Sequence, residues 1–151
     1  MKRVVLLLLA ASVVFSGCAS APKPDSDLQA EKFVAAAGKS SIYIFRNQGL
    51  ASALNIDLLV DGKIMGQSGP SAYFIIDIES GRHEISCEGD PAGSFVLTTG
   101  PDKIYFVRQV MKSGYSSVSC SFHEVPAAEG KDAVNGCDLS GHTGSVNKAS
   151  S

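Results

Sequence analysis

Four cysteines and three histidines carry most of the reactive side chains in this 151-residue chain. Cys18 is the most specific of them. It follows Ser16–Gly17 and precedes Ala19–Ser20, and upstream lie Lys2, Arg3 and the apolar run Val4 to Phe15. A basic start, about 12 apolar residues and small residues before a cysteine match an export signal. The same run is too short for a bilayer-spanning helix, which needs roughly 20 apolar residues. Ser16–Gly17–Cys18 fits a lipobox, in which the thiol receives a diacylglycerol. An ordinary secretory peptide cleaved near Ala21 is the rival reading. Lipidation at Cys18 predicts a lipoprotein held by two or three acyl chains, where a single chain would hold only marginally. Ala19, in place of Asp, favours the outer membrane facing the periplasm.

With Cys18 lipidated, Cys87, Cys120 and Cys137 remain. An exported chain meets conditions that allow disulfides. In Arg82–Glu88, Cys87 shares the apolar face with His83 and Ile85. In Ser117–Val125, Cys120 shares a face with Val118 and Phe122. Two inward-facing thiols on strands make Cys87 and Cys120 the candidate disulfide, worth roughly 3–4 kcal/mol for a loop of this size. Cys120 with Cys137, or three buried reduced thiols, are the alternatives, because connectivity is not deducible from sequence.

Catalytic chemistry finds little support. Cys120 and His123 could form a nucleophile–base pair or two metal ligands. Positions three apart on a strand point to opposite faces, however, and a structural zinc site takes four ligands. Gly66–Gln67–Ser68–Gly69 is not a nucleophile elbow, and Gly130–Lys131 lacks the glycine pattern of a phosphate loop. His83, beside the Gly81 turn, reads as a packed imidazole bonded to a nearby carbonyl. Arg46 and Arg108 read as strand-surface or ion-pair residues, with Asp57 or Asp77 as partners. Tyr43, Tyr73, Tyr105 and Tyr115 offer either a sugar-stacking or protein-binding patch or plain sheet packing. No catalytic residue, metal ligand or cofactor site is assigned, and the chain reads as a non-enzyme.

These residues need a scaffold. Mature from Cys18, the chain has 11 basic and 15 acidic residues. Nucleic-acid binding therefore has no electrostatic footing. Residues 1–17 form the signal peptide, and residues 18–37 the lipidated cysteine and its tether. Within that tether, Leu28 to Ala37 has helix-favouring composition, ending at Gly38. Residues 38–139 form the folded domain, and 140–151, rich in Gly and Ser, a disordered tail.

Within the domain, β-branched and aromatic runs alternate with turn residues. Strands are expected at Ser41–Arg46, Asn55–Val60, Lys63–Gly66, Ala72–Ile78, Arg82–Glu88, Ser94–Thr99, Lys103–Met111 and Ser116–Val125. Asp61–Gly62 marks a two-residue hairpin, and Ala72–Ile78 is apolar enough to be buried on both faces. Gly66 to Ser71 and Gly89 to Gly93 read as loops. Ser94–Thr99 and Lys103–Met111 are expected to pair across Gly100–Pro101–Asp102. Ala127 to Asn135 is a candidate short helix near the C-terminus. The expected fold is mainly β, a single antiparallel sandwich-like domain.

Along Phe33…Gly38–Lys39…Ile42–Tyr43–Ile44–Phe45–Arg46–Asn47, then Val60–Asp61–Gly62–Lys63…Gly66, Tyr73–Phe74, Ser80–Gly81–Arg82–His83–Glu84–Ile85, Ile104–Tyr105–Phe106–Val107–Arg108 and Glu124–Val125…Glu129–Gly130, the chain resembles a family of bacterial lipoprotein domains. That family is catalogued as domain of unknown function 2846. The resemblance implies a compact β-sandwich-like module on a lipoprotein tether and supplies no catalytic residues. The hairpin and the Gly–x–His turn also resemble small surface modules of the PEGA type. The expected function is a lipid-anchored envelope lipoprotein acting as a binding or structural module. It would attach to the membrane by its N-terminal lipid and face an envelope protein or glycan partner. A periplasmic enzyme accessory or an inhibitor-type lipoprotein is the alternative.

Overall fold

The computed structural model describes residues 33–48, 54–113 and 118–143. The signal peptide, Cys18, most of the tether, Tyr115 and the last eight residues lie outside the described residues.

Among the described residues, nine strands and one helix follow in order: β1 (Ser40–Arg46), β2 (Ile56–Val60), β3 (Lys63–Ser68), β4 (Ala72–Ile78), β5 (Gly81–Cys87), β6 (Asp90–Thr99), β7 (Ile104–Ser113), β8 (Val118–Val125), α1 (Ala127–Asn135) and β9 (Asp138–His142). The fold is mainly β and sandwich-like. One sheet has five strands in the order β8-β7-β1-β4-β9, and the other has four in the order β3-β2-β5-β6.

Side-chain alternation along each strand builds two apolar layers. Ile42 and Ile44 of β1, and Phe74 and Ile76 of β4, point between the sheets. There they meet Leu58, Val60, Ile85, Leu97, Val107, Met111 and Phe122. The alternate residues Tyr43, Phe45, Tyr73, Ile75 and Phe106 point outward, where Val134 of α1 and Cys137 cover them. This is why β1 and β4 read as nearly continuous apolar runs: both their faces are buried.

The Asp61–Gly62 hairpin forms as the dipeptide predicts. Asp61 has φ 51° and Gly62 φ 73°, the left-handed pair that a type I′ turn requires. Helix α1 occupies the span expected for it and ends at Gly136, whose amide bonds the Ala133 carbonyl.

Several local expectations are corrected. Residues 33–37 are not helical. Phe33 instead packs on Tyr43 and Phe106, with ring centroids 5.3 and 5.7 Å apart, so tertiary contact overrides helix propensity. Strand β3 runs on to Ser68 because Gly66 and Ser68 pair with Leu58 and Ile56. Strand β6 begins at Asp90 rather than Ser94. Ser94–Thr99 and Lys103–Met111 do not pair: β6 joins β5 in one sheet and β7 joins β1 and β8 in the other. Gly100–Pro101–Asp102 is thus a crossing between sheets. The sheet is also not wholly antiparallel, since β1–β7 and β4–β9 are parallel pairs. Finally, the fold continues past Leu139. Residues 138–142 form β9, and the Thr143 amide bonds the Ile75 carbonyl. The unmet edge of β4 outweighs the Gly/Ser composition there.

Candidate functional site

The two sheets differ on their outer sides. Helix α1 and Phe33 close the outer face of the five-stranded sheet. Among the described residues nothing covers the outer face of the four-stranded sheet, where Ile64 is 59% and Val96 43% exposed. At one end of that face lies an open depression of about 330 Å³, lined by Asp61, Arg82, His83, Glu84 and Val96.

The hairpin turn positions this site. The Asp61 amide donates to the Glu84 carbonyl at 2.8 Å, and the Glu84 amide donates to Asp61 Oδ1 at 2.9 Å. His83 Nδ1 lies 2.7 Å from Asp61 Oδ2, and Nε2 lies 2.8 Å from the Glu79 carbonyl oxygen. Partial burial works against the Asp61 charge, but the Glu84 amide, the His83 ring and Lys63 together hold the carboxyl below its usual range. Both nitrogens of His83 face acceptors, so the ring ties the β2–β3 hairpin to the β4–β5 turn. Arg82 and Glu84 line the depression beside it. The carbonyl contact expected for His83 is present; the contribution of Asp61, visible in the sequence only as a turn residue, is not apparent there.

A second polar cluster brings together Ser41, Asp77 and His142. Ser41 Oγ donates to Asp77 Oδ1 at 2.5 Å, and His142 Nε2 lies 2.9 Å from Asp77 Oδ2. The residue types are those of a hydrolase triad, but the order is wrong. A triad needs the imidazole between the hydroxyl and the carboxylate, so that it can take the proton. Here the carboxylate is in the middle and Ser41 is 1% exposed. The cluster fastens β9 to β4 and β1. Beside it, burial first and then the Asp77 charge push the Tyr43 phenol up to about 12.

A disulfide joins Cys87 of β5 to Cys120 of β8 and so ties one sheet to the other. Cys120 is thereby removed from any pairing with His123, which is exposed and has Ser121 Oγ 3.4 Å from its Nε2. Cys137 stands outside the bridge as a buried thiol. It belongs to the outer layer, and the five-stranded sheet separates it from Cys120 in the inner one.

The remaining candidates resolve as packing. Arg46 is fully buried rather than at the surface. Its Nη1 donates to the Leu54 and Ser68 carbonyls at 2.6 and 3.0 Å, and burial lowers its pKa. Arg108 pairs with Glu129 at 2.5 Å and lies over the Phe45 ring; its carboxylate is on α1, not at Asp57 or Asp77. Tyr43 and Tyr73 stack in the covered layer, and the Tyr105 hydroxyl accepts from the Gly100 amide. Those three tyrosines therefore form no exposed patch.

A family profile described as "Protein of unknown function (DUF2846)" matches residues 36–121. An uncharacterized protein of Haemophilus influenzae is 31% identical over 132 residues, covering 85% of this chain and 79% of that protein. No solved structure matches.

Proposed function

The chain belongs to the DUF2846 family of proteins of unknown function, and from that premise we propose that it is a lipid-anchored module of the bacterial envelope, non-catalytic and working by binding or by structural contact. The Cys87–Cys120 bridge is the observation that carries this reading. A disulfide across the core suits an oxidising compartment, which is where the Lys2–Cys18 signal would deliver the chain. Cys18 is the lipid attachment point in this reading. Ala19 favours the outer membrane, with the domain facing the periplasm. The absence of an imidazole between Ser41 and Asp77, and the full engagement of His83, support binding over catalysis. The open face bearing Arg82, Glu84 and Val96 is the surface offered to an envelope protein or glycan.

Metabolic labelling with a radioactive fatty acid tests the anchor. Wild type should be labelled and should fractionate with membranes, and Cys18→Ser should lose both properties. Unchanged labelling in that variant would sink the reading.

A further inference from the structure

A neutral imidazole has one N–H and one bare nitrogen, whereas a carboxylate and a backbone carbonyl can only accept. His83 is held against two such acceptors at once. Its Nδ1 lies 2.7 Å from Asp61 Oδ2, and its Nε2 lies 2.8 Å from the Glu79 carbonyl oxygen. The Asp61 carboxyl is held below its usual range, so at neutral pH it has no proton to give the ring. Both contacts are hydrogen bonds only when both ring nitrogens carry hydrogen, which is the imidazolium form.

We propose that His83 is a proton-dependent clasp between the Asp61–Gly62 hairpin and the β4–β5 turn: the protonated ring bonds both, and the neutral ring releases Glu79. Charge decides which bond is lost. A hydrogen bond to a carboxylate is roughly twice as strong as one between neutral groups, so the remaining hydrogen stays on Nδ1, facing Asp61. The bare Nε2 then faces the lone pairs of the Glu79 carbonyl, acceptor against acceptor, and the turn moves away. The side chain is 12% exposed, so water has little access to the lost bond. The Glu79 carbonyl keeps a longer contact, from the Thr99 hydroxyl at 3.3 Å.

The charged groups around the ring are few. Asp61 faces it from the hairpin, and Lys63 acts on Asp61 from β3. The Glu79 carboxylate, at the turn, pairs with Lys39 Nζ at 3.3 Å. Arg82 and Glu84 flank His83 on β5 and are exposed. From β6 it meets Leu97, which carries no charge. Of these side-chain types, only imidazole ordinarily changes charge between about pH 5 and 8. Asp61 and His83 both line the depression, so its shape is tied to the proton whether or not a ligand enters it.

Nitrogen-15 NMR of the full chain in detergent tests the clasp, because ring nitrogens with and without hydrogen resonate far apart. The pH is raised from about 5 until the ring has lost its proton. At the acid end both nitrogens of His83 should carry hydrogen. As the proton leaves, Nε2 should become bare and Nδ1 should keep its hydrogen. The Glu79 carbonyl carbon, and the Gly81 amide that bonds Thr99 Oγ1, should shift in step with the ring. In His83→Gln those two signals should stay fixed over the same interval. A folded wild type whose His83 ring already has a bare nitrogen at the acid end overturns the proposal. So does a neutral ring that keeps its hydrogen on Nε2, or wild-type Glu79 and Gly81 signals that stay fixed while the ring changes. These wild-type readings decide the matter even where the variant fails to fold.

Discussion

Gly130 offers the sharpest test of how α1 is seated. It lies in the helix with its backbone directly on Phe106, and an added Cβ would sit 2.2 Å from Phe106 Cγ and 2.4 Å from both Cβ and Cδ1. Carbon atoms rest about 3.5–4.0 Å apart. Rotating the Phe106 side chain moves Cγ and Cδ1 but leaves Cβ in place, so the clash persists, and Phe106 is 2% exposed. Either α1 lifts from the sheet or β7 shifts. On helix propensity alone, Gly130→Ala would stabilise by about 1 kcal/mol. Forced overpacking costs about 1–3 kcal/mol, and the upper part of that range applies to a contact with so little room to yield. The net expectation is a loss of about 1–2 kcal/mol. Gly136→Ala is the internal control: its φ is −92° and its Cβ would meet only the Ala133 carbonyl, at 3.5 Å. That change should be neutral or stabilise by up to about 1 kcal/mol. Urea unfolding of wild type and both variants measures the difference. A Gly130→Ala protein as stable as Gly136→Ala would refute the close seating of α1.

Two further outcomes follow from the same geometry. Reducing the Cys87–Cys120 bridge, or replacing both cysteines with Ala, should cost about 3–4 kcal/mol for the 33-residue separation; thermal unfolding with and without reductant should show a lower Tm on reduction, and an equal Tm would count against the bridge. Asp61 is held below its ordinary pKa of 3.8 in the folded state, so its contribution is present above that pKa and disappears as pH falls through the lower folded value. The side chain is 42% exposed, so solvent screening limits the effect to below about 1 kcal/mol. Denaturation midpoints of wild type and Asp61→Asn should differ at neutral pH and converge on acidification, and a gap that widens in acid would contradict the assignment.

Much of the candidate site was only half legible. His83 was recognisable because Gly81 and the alternation of Arg82–Glu88 place it at a turn, on the inward side. Its partner Asp61 is 22 residues away, and no local pattern links the two. Arg46 differs for the opposite reason: a charged residue ending an apolar strand ordinarily reaches solvent, and the carbonyls of Leu54 and Ser68, both brought in from later in the chain, receive its guanidinium in the interior.

The sequence by itself determined the elements. Period-two alternation set which residues of β5 and β8 share a face, Asp61–Gly62 set a hairpin, and the stretch between Pro126 and Gly136 set a helix. Each of these rests on interactions spanning a few residues. The tertiary structure decided how the elements combine. It sent β6 and β7 to different sheets, made β1–β7 and β4–β9 parallel, and used β9 to cover the edge of β4. It also selected Cys87 as the partner of Cys120, because the five-stranded sheet stands between Cys120 and Cys137. Alternation tells a side chain which face to take; which strand lies opposite depends on burying both faces of β1 and β4 at once, and that condition exists only in the assembled fold.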